Sequence, residues 1–171
     1  MKVELATVDD TRAFGRQLAV LLRAGDLVIL NGPLGAGKTA LAQGIGAGLR
    51  VLGTVTSPTF VIARVHRPDP ARGGRVPLVH VDAYRLGGVP EVDDLDLDAS
   101  LEDSVTLVEW GGGKVEQLSD AHLEVRIDRH EDDSRLVELV GHGGDWPERL
   151  SPSLADLGTP PLSRRSRAYR G

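Results

Sequence analysis

The segment Gly32-Pro33-Leu34-Gly35-Ala36-Gly37-Lys38-Thr39 combines the residue types needed to hold a polyphosphate, at the spacing G-x-x-x-x-G-K-[ST]. Its glycines let the backbone curl until successive N–H groups converge on an anion. Lys38 is a slim point charge able to reach the outer phosphates. The Thr39 hydroxyl is a ligand of the kind Mg²⁺ takes. A helix starting here adds the positive end of its dipole. The bland alternative is a Gly-rich turn with an incidental lysine, and context disfavours it. Leu27-Val28-Ile29-Leu30 is a strand-type run just before the loop, and residues 39–49 read as a helix with Leu41, Ala42, Ile45 and Leu49 on one face. Only three lysines occur, at positions 2, 38 and 114, against seventeen arginines. The wide arginine fork does not fit such a cradle, so lysine at 38 agrees with a phosphate contact.

Two further apolar runs end in a carboxylate, Leu78-Val79-His80-Val81-Asp82 and Val105-Thr106-Leu107-Val108-Glu109. Beside a phosphate loop, such carboxylates hold Mg²⁺ directly or through water, or polarise an attacking water. Either one alone is weak evidence, because any strand can end in Asp or Glu. Ser57-Pro58-Thr59-Phe60 has the composition of a phosphate-sensing switch, though from pattern alone a plain Ser-Pro turn entering a strand is the favoured reading. Trp110 follows Glu109 and precedes three glycines, as a mobile aromatic or a hinge. The five histidines form no ligand set with metal-binding spacing. No N-K-x-D signal for guanine is present, so ATP is the expected nucleotide.

The elements that must position these groups follow from periodicity. Residues 2–6 read as a strand. Thr7 is an N-cap, followed by a helix carrying Phe14, Leu18, Leu21 and Leu22 up to Gly25. Residues 56–65 read as extended and residues 67–75 as a loose, turn-rich loop. Residues 87–104 read as an acidic loop with a short helix near Leu95. Residues 123–128 and 135–140 form an antiparallel pair, and residues 145–150 a closing helix. This alternation implies a three-layer α/β fold of P-loop NTPase type, with a mixed, largely parallel central sheet and a C-terminal antiparallel hairpin. Ligands of such sheets lie at the carboxyl ends of the strands, where Asp82 and Glu109 fall.

Length and composition bound the rest. A chain of 171 residues is one domain, here residues 1–150, with an Arg-rich tail, 151–171, expected to be disordered. Without cysteine there is no disulfide framework. No apolar run approaches 18 residues and no N-terminal signal pattern is seen, so a cytoplasmic protein is expected; separately, the isolated protein is expected to be a monomer. Four arginines lie in residues 163–171 with no acid among them, which leaves 16 basic against 25 acidic side chains before them. That acidic body argues against broad nucleic-acid binding.

Five segments in order resemble the TsaE (YjeE) family: Thr11-x-x-Phe14-Gly15, the loop at 32–39, Ser57-Pro58-Thr59-Phe60, His80-Val81-Asp82-Ala83-Tyr84-Arg85 and Val108-Glu109-Trp110. The family comprises small bacterial ATPases required for threonylcarbamoyladenosine in tRNA. The resemblance spans roughly residues 3–150. It implies that Gly35, Ala36, Gly37, Lys38, Thr39 and Ala40 cradle ATP, with Thr11 near the nucleotide. Thr39 and Glu109 would bind Mg²⁺, Glu109 alternatively orienting water, with Asp82 near the metal. Lys38, Asp82 and Glu109 would then be the catalytic set. Residues 57–60 would be a switch, and Trp110 part of a mobile segment. The implied partners are TsaD and TsaB, with tRNA reached through their complex, and hydrolysis resets that complex. Pro33 stands where the family carries aspartate, and Ala83 where a larger apolar residue is common.

A small-molecule kinase is the competing reading, its arginine-bearing lid sought in residues 64–75. A non-catalytic nucleotide module is a third, disfavoured by Asp82 and Glu109. Phosphate release without an acceptor separates the ATPase from the kinase. Deleting residues 151–171 is expected to leave the thermal unfolding midpoint and nucleotide affinity nearly unchanged, because the segment has little apolar surface to dock. A large drop in the midpoint would show that it packs on the domain.

Overall fold

The computed structural model describes residues 1–56, 63–83, 102–110 and 119–151. The strands are β1 (Lys2–Leu5), β2 (Leu27–Asn31), β3 (Ala63–His66), β4 (Leu78–Asp82), β5 (Val105–Glu109), β6 (His122–Arg129) and β7 (Arg135–His142). Among the described residues the α-helices are α1 (Val8–Leu18), α2 (Lys38–Leu49) and the single turn α3 (Trp146–Arg149). All seven strands form one sheet in the order β1-β7-β6-β2-β5-β4-β3. β2 runs parallel to both β5 and β6, and β4 parallel to β5. The β6–β7, β7–β1 and β3–β4 pairs are antiparallel. The sheet is therefore mixed with a parallel centre, as expected for this α/β class. Both flanks, not the C-terminal one alone, are antiparallel.

β2 is apolar without alternation because the centre of the sheet is buried on both faces. Val28 and Leu30 join Phe14, Leu18, Leu41 and Ile45 in a core beneath α1 and α2. Leu27 and Ile29 point the other way and pack with Val79, Val81, Ala83 and Val108. Residues 84–101 and 111–118, on which an expected third layer would draw, lie outside the described residues. So do the switch candidate at 57–60, the helix near Leu95, Arg85 and the tail from 152.

α1 begins with reciprocal capping. The Thr7 hydroxyl accepts from the Asp10 N–H at 3.0 Å, and the Asp10 carboxylate accepts from the Thr7 N–H at 3.0 Å. The α-helix is shorter than periodicity suggests. It ends at Leu18, passes through a 3₁₀ turn over Ala19–Leu21, and turns extended at Leu22. α2 lies against it at backbone contact distance: a Cβ on Gly44 would lie 2.9 Å from the Gly15 Cα, and one on Gly15 2.9 Å from the Gly44 Cα.

The loose loop expected at 67–75 is corrected. Asp69 caps a 3₁₀ turn over Pro70–Arg72 by accepting from the Ala71 N–H at 3.0 Å. Arg72 donates to the Val51 carbonyl at 2.7 Å, and Arg50 to the Arg72 carbonyl at 3.0 Å. Counting prolines and glycines in the segment hid the arginines that bind it to the end of α2. At the opposite flank Trp146 is buried, and the Arg149 guanidinium stacks over its ring while pairing with Asp26.

Gly44→Ala tests the helix contact. Helix propensity alone favours alanine by about 1 kcal/mol, but the added methyl meets the backbone of α1, which cannot yield as a flexible side chain does. A net destabilisation of about 1–3 kcal/mol is expected in urea unfolding. A stabilised variant would refute the close contact.

Candidate functional site

The loop between β2 and α2 folds back toward its own lysine. Gly37, immediately before α2, has φ 114°, a conformation that a side chain disfavours. Pro33 lacks an N–H, but the loop uses its carbonyl, which accepts from the Ala36 N–H at 3.2 Å. The same carbonyl accepts from Lys38 Nζ at 2.9 Å, and the Gly32 carbonyl accepts from Nζ at 2.8 Å. The departure at position 33 is thus compatible with a closed loop. The Lys38 ammonium also lies 3.8 Å from the centre of the Trp110 ring. Lys38 is only 5% exposed. Burial pulls its pKa below the usual 10.5, while the nearby carboxylates of Glu109 and Asp82 pull it back up.

A cleft of about 580 Å³ opens here, with Gly35, Gly37, Lys38, Thr39, Asp82 and Glu109 in its wall. Val8, Leu34, Trp110 and Arg135 complete it. Sheet register explains why the two carboxylates meet the loop. Asp82 pairs with Glu109 across β4–β5, and Glu109 pairs with Leu30 across β5–β2, just before the loop. The two carboxylate-ended strands expected beside the loop therefore end in one row.

His80 is the residue whose role the spacing left open. Its Nε2 lies 2.8 Å from Glu109 Oε1, with His80 fully buried and Glu109 3% exposed. A carboxylate at Glu109 requires Nε2 to carry the hydrogen. Nδ1 of the same ring is buried without a partner in the described structure. The pair fixes one oxygen of Glu109 and leaves the other for a cation or water. Trp110, next in the chain, adopts φ 62° and donates its N–H to the Leu30 carbonyl at 3.0 Å.

Of the remaining candidates, Ala36 and Ala40 are buried beside the loop and contribute backbone, not cleft surface. Thr11 does not reach the cleft wall. It is fully buried, and its hydroxyl donates to the Thr7 carbonyl at 3.1 Å; Val8, one turn earlier, faces the cleft instead. From sequence, Val8 and Leu34 carry no role, and Arg135 is a weaker candidate than Arg85 for an arginine finger on the phosphates. Leu34 is 93% exposed, an unusual position for a leucine and a signal visible only with coordinates.

Hard oxygen donors from Thr39, Asp82 and Glu109, with a buried ammonium beside them, suit a Mg²⁺–polyphosphate pair. Comparison with known proteins agrees on what this chain is similar to. The family model "Threonylcarbamoyl adenosine biosynthesis protein TsaE" matches residues 5–137. The TsaE protein of Streptomyces coelicolor is 61% identical over 140 residues, covering 79% of this chain and 93% of its own length. That of Mycobacterium tuberculosis is 53% identical over 131 residues, covering 73% and 77%. That of Bacillus subtilis is 35% identical over 156 residues, covering 91% and 94%. The crystal structure of YdiB from Bacillus subtilis superposes with a TM-score of 0.71 at 30% identity, covering 93% of this chain and 96% of that one.

Replacing His80 tests the buried pair. His80→Leu removes the hydrogen bond to a carboxylate that stays buried, and a loss of about 1–3 kcal/mol is expected in urea unfolding. His80→Gln keeps a donor and should lose less. Equal stability of His80→Leu and the wild type would show that the pair contributes nothing.

Proposed function

The chain belongs to the TsaE family of threonylcarbamoyladenosine biosynthesis proteins, and from that premise we propose that it is a Mg²⁺-dependent ATPase serving tRNA modification. One observation carries the reading: the buried Lys38 ammonium, coordinated by two loop carbonyls and an indole, shares a cleft with Asp82 and Glu109. Such an ammonium is a cation awaiting a stronger anionic partner than a carbonyl.

In this reading the backbone N–H groups of residues 35–39 and the Lys38 ammonium bind the phosphates. Thr39 and Glu109 hold Mg²⁺, with Asp82 beside them. Bound Mg²⁺ supplies Lewis-acid charge to the phosphoryl oxygens. His80 holds the Glu109 carboxylate in one orientation, so that its second oxygen contacts metal or accepts from the attacking water. Trp110 covers Lys38 and limits water at the loop. ATP as the nucleotide, TsaB and TsaD as partners, and tRNA as the indirect target belong to the same proposal. The described residues supply no arginine from the loop itself, which favours a slow intrinsic rate raised by partner contact.

Lys38→Ala should abolish MgATP binding and phosphate release. Glu109→Gln, which keeps an oxygen to accept from His80, should lower kcat by roughly 10²-fold with little change in the unfolding midpoint. Hydrolysis by Lys38→Ala at the wild-type rate would exclude the loop as the active site. Phosphoryl transfer to a metabolite in preference to water would favour a kinase.

The environment of Trp110 provides an optical readout. Binding of MgATP should change tryptophan emission in the wild type and in Trp146→Phe, and leave emission unchanged in Trp110→Phe. The same titrations, repeated with the TsaB–TsaD complex, read partner dependence. ATP turnover unaffected by that complex would refute the switch.

A further inference from the structure

Arg135 is a buried charge that the reading above leaves unused. It opens β7 and is 8% exposed. Its Nη1 donates to the Asp133 carbonyl at 2.6 Å, but among the described residues its buried Nε has no partner. Among the described residues it forms no ion pair, in contrast to its cross-strand neighbour Arg129, which is half exposed and paired with Asp133. A guanidinium in that position is costly unless an anion completes it.

The place where it lies names the anion. A Cβ built on Gly37 would sit 3.1 Å from Arg135 Nε and 3.4 Å from its Cδ. The absent side chain at 37 is what lets the guanidinium rest against the phosphate loop. Arg135 lines the same cleft as Lys38, Thr39 and Glu109. The hairpin that carries it is held firmly. Asp133 takes φ 66° in the turn, and Asp132 Oδ1 accepts from the Ser134 N–H at 3.0 Å and from its hydroxyl at 2.6 Å. A preset, planar donor with buried free valence suits phosphoryl oxygens, which accept from such a fork in pairs.

We infer that Arg135 is a phosphate-binding residue, a hairpin-borne guanidinium that contacts the polyphosphate held by residues 35–39. The inference rests on the nucleotide reading and adds a second cation to it, delivered from the antiparallel part of the sheet. An unmet Nε is what the structural explanation, a cap on the Asp133 carbonyl, fails to account for.

The test is calorimetric titration of the full chain with Mg²⁺ and a non-hydrolysable ATP analogue, ADP or inorganic triphosphate. Wild type, Arg135→Gln, Arg135→Lys and Arg23→Gln are compared, with thermal unfolding of each protein without ligand. Arg135→Gln should bind the analogue roughly 10–100-fold more weakly, the range expected for a charge-assisted hydrogen bond. Arg135→Lys should recover part of the loss, and Arg23→Gln, at an exposed arginine outside the cleft, should bind as the wild type does. A lowered unfolding midpoint with unchanged affinity in Arg135→Gln would make the residue purely structural and overturn the inference. If Arg135→Gln does not fold, wild-type affinity in Arg135→Lys overturns it equally. Failure of the wild type to bind any of the three ligands would instead overturn the nucleotide reading itself.

Discussion

The constraint on which this molecule depends is the burial of one ammonium group. An unpaired cation inside a protein is expensive, and Lys38 avoids that penalty by donating to the Gly32 and Pro33 carbonyls and resting against an indole. Those contacts demand a loop closed tightly on itself, with Gly37 in a left-handed conformation at the entry to α2. They also demand that β2 end at the right level, that α2 begin at Lys38, and that Trp110 leave β5 at the correct angle. The groups binding Lys38 are neutral carbonyls and a ring face. An anion can displace them without breaking a strong ion pair.

The sheet turns this local arrangement into a site. Three parallel strands, β4, β5 and β2, end in register, which delivers Asp82 and Glu109 to the mouth of the loop. Their negative charge raises the Lys38 pKa against the effect of burial, so the ammonium state is supported by the same groups that suit a divalent cation. His80, on β4, then ties Glu109 of β5 across the sheet. The antiparallel hairpin β6–β7 closes the cleft from the other flank through Arg135. Each wall thus comes from a different strand pair, and the helices supply the packing that holds the levels fixed.

Much of this was legible in the residues. The loop, its strand and helix, the two carboxylate-ended strands and the C-terminal hairpin all follow from local composition and period, because each is set by residues close in sequence. What sequence left open depends on register or on contacts between distant segments. His80 and Asp82 have the spacing of one strand face, yet nothing local says that His80 reaches Glu109, 29 positions away. Residues 67–75 look loose until Arg50, from the end of α2, is seen bonded to Arg72. Thr11, set near the nucleotide by family resemblance, uses its hydroxyl within the first turn of α1, one turn from Val8 in the cleft wall. Arg135 ranks from sequence only as a weaker arginine finger than Arg85, because its approach to Gly37, a neighbour only in space, has no local signal.

The backbone of Trp110 carries a mechanical consequence. A non-glycine residue at φ 62° stores on the order of 1–3 kcal/mol of conformational strain. The attraction between its ring and the Lys38 ammonium is of similar size, about 0.5–2 kcal/mol, and so offsets it. The two are a matched pair, a loaded hinge and its catch. An anion that captures Lys38 competes with that ring contact, so occupancy of the loop is felt first at the residue directly after Glu109, whose backbone is tied to the Leu30 carbonyl.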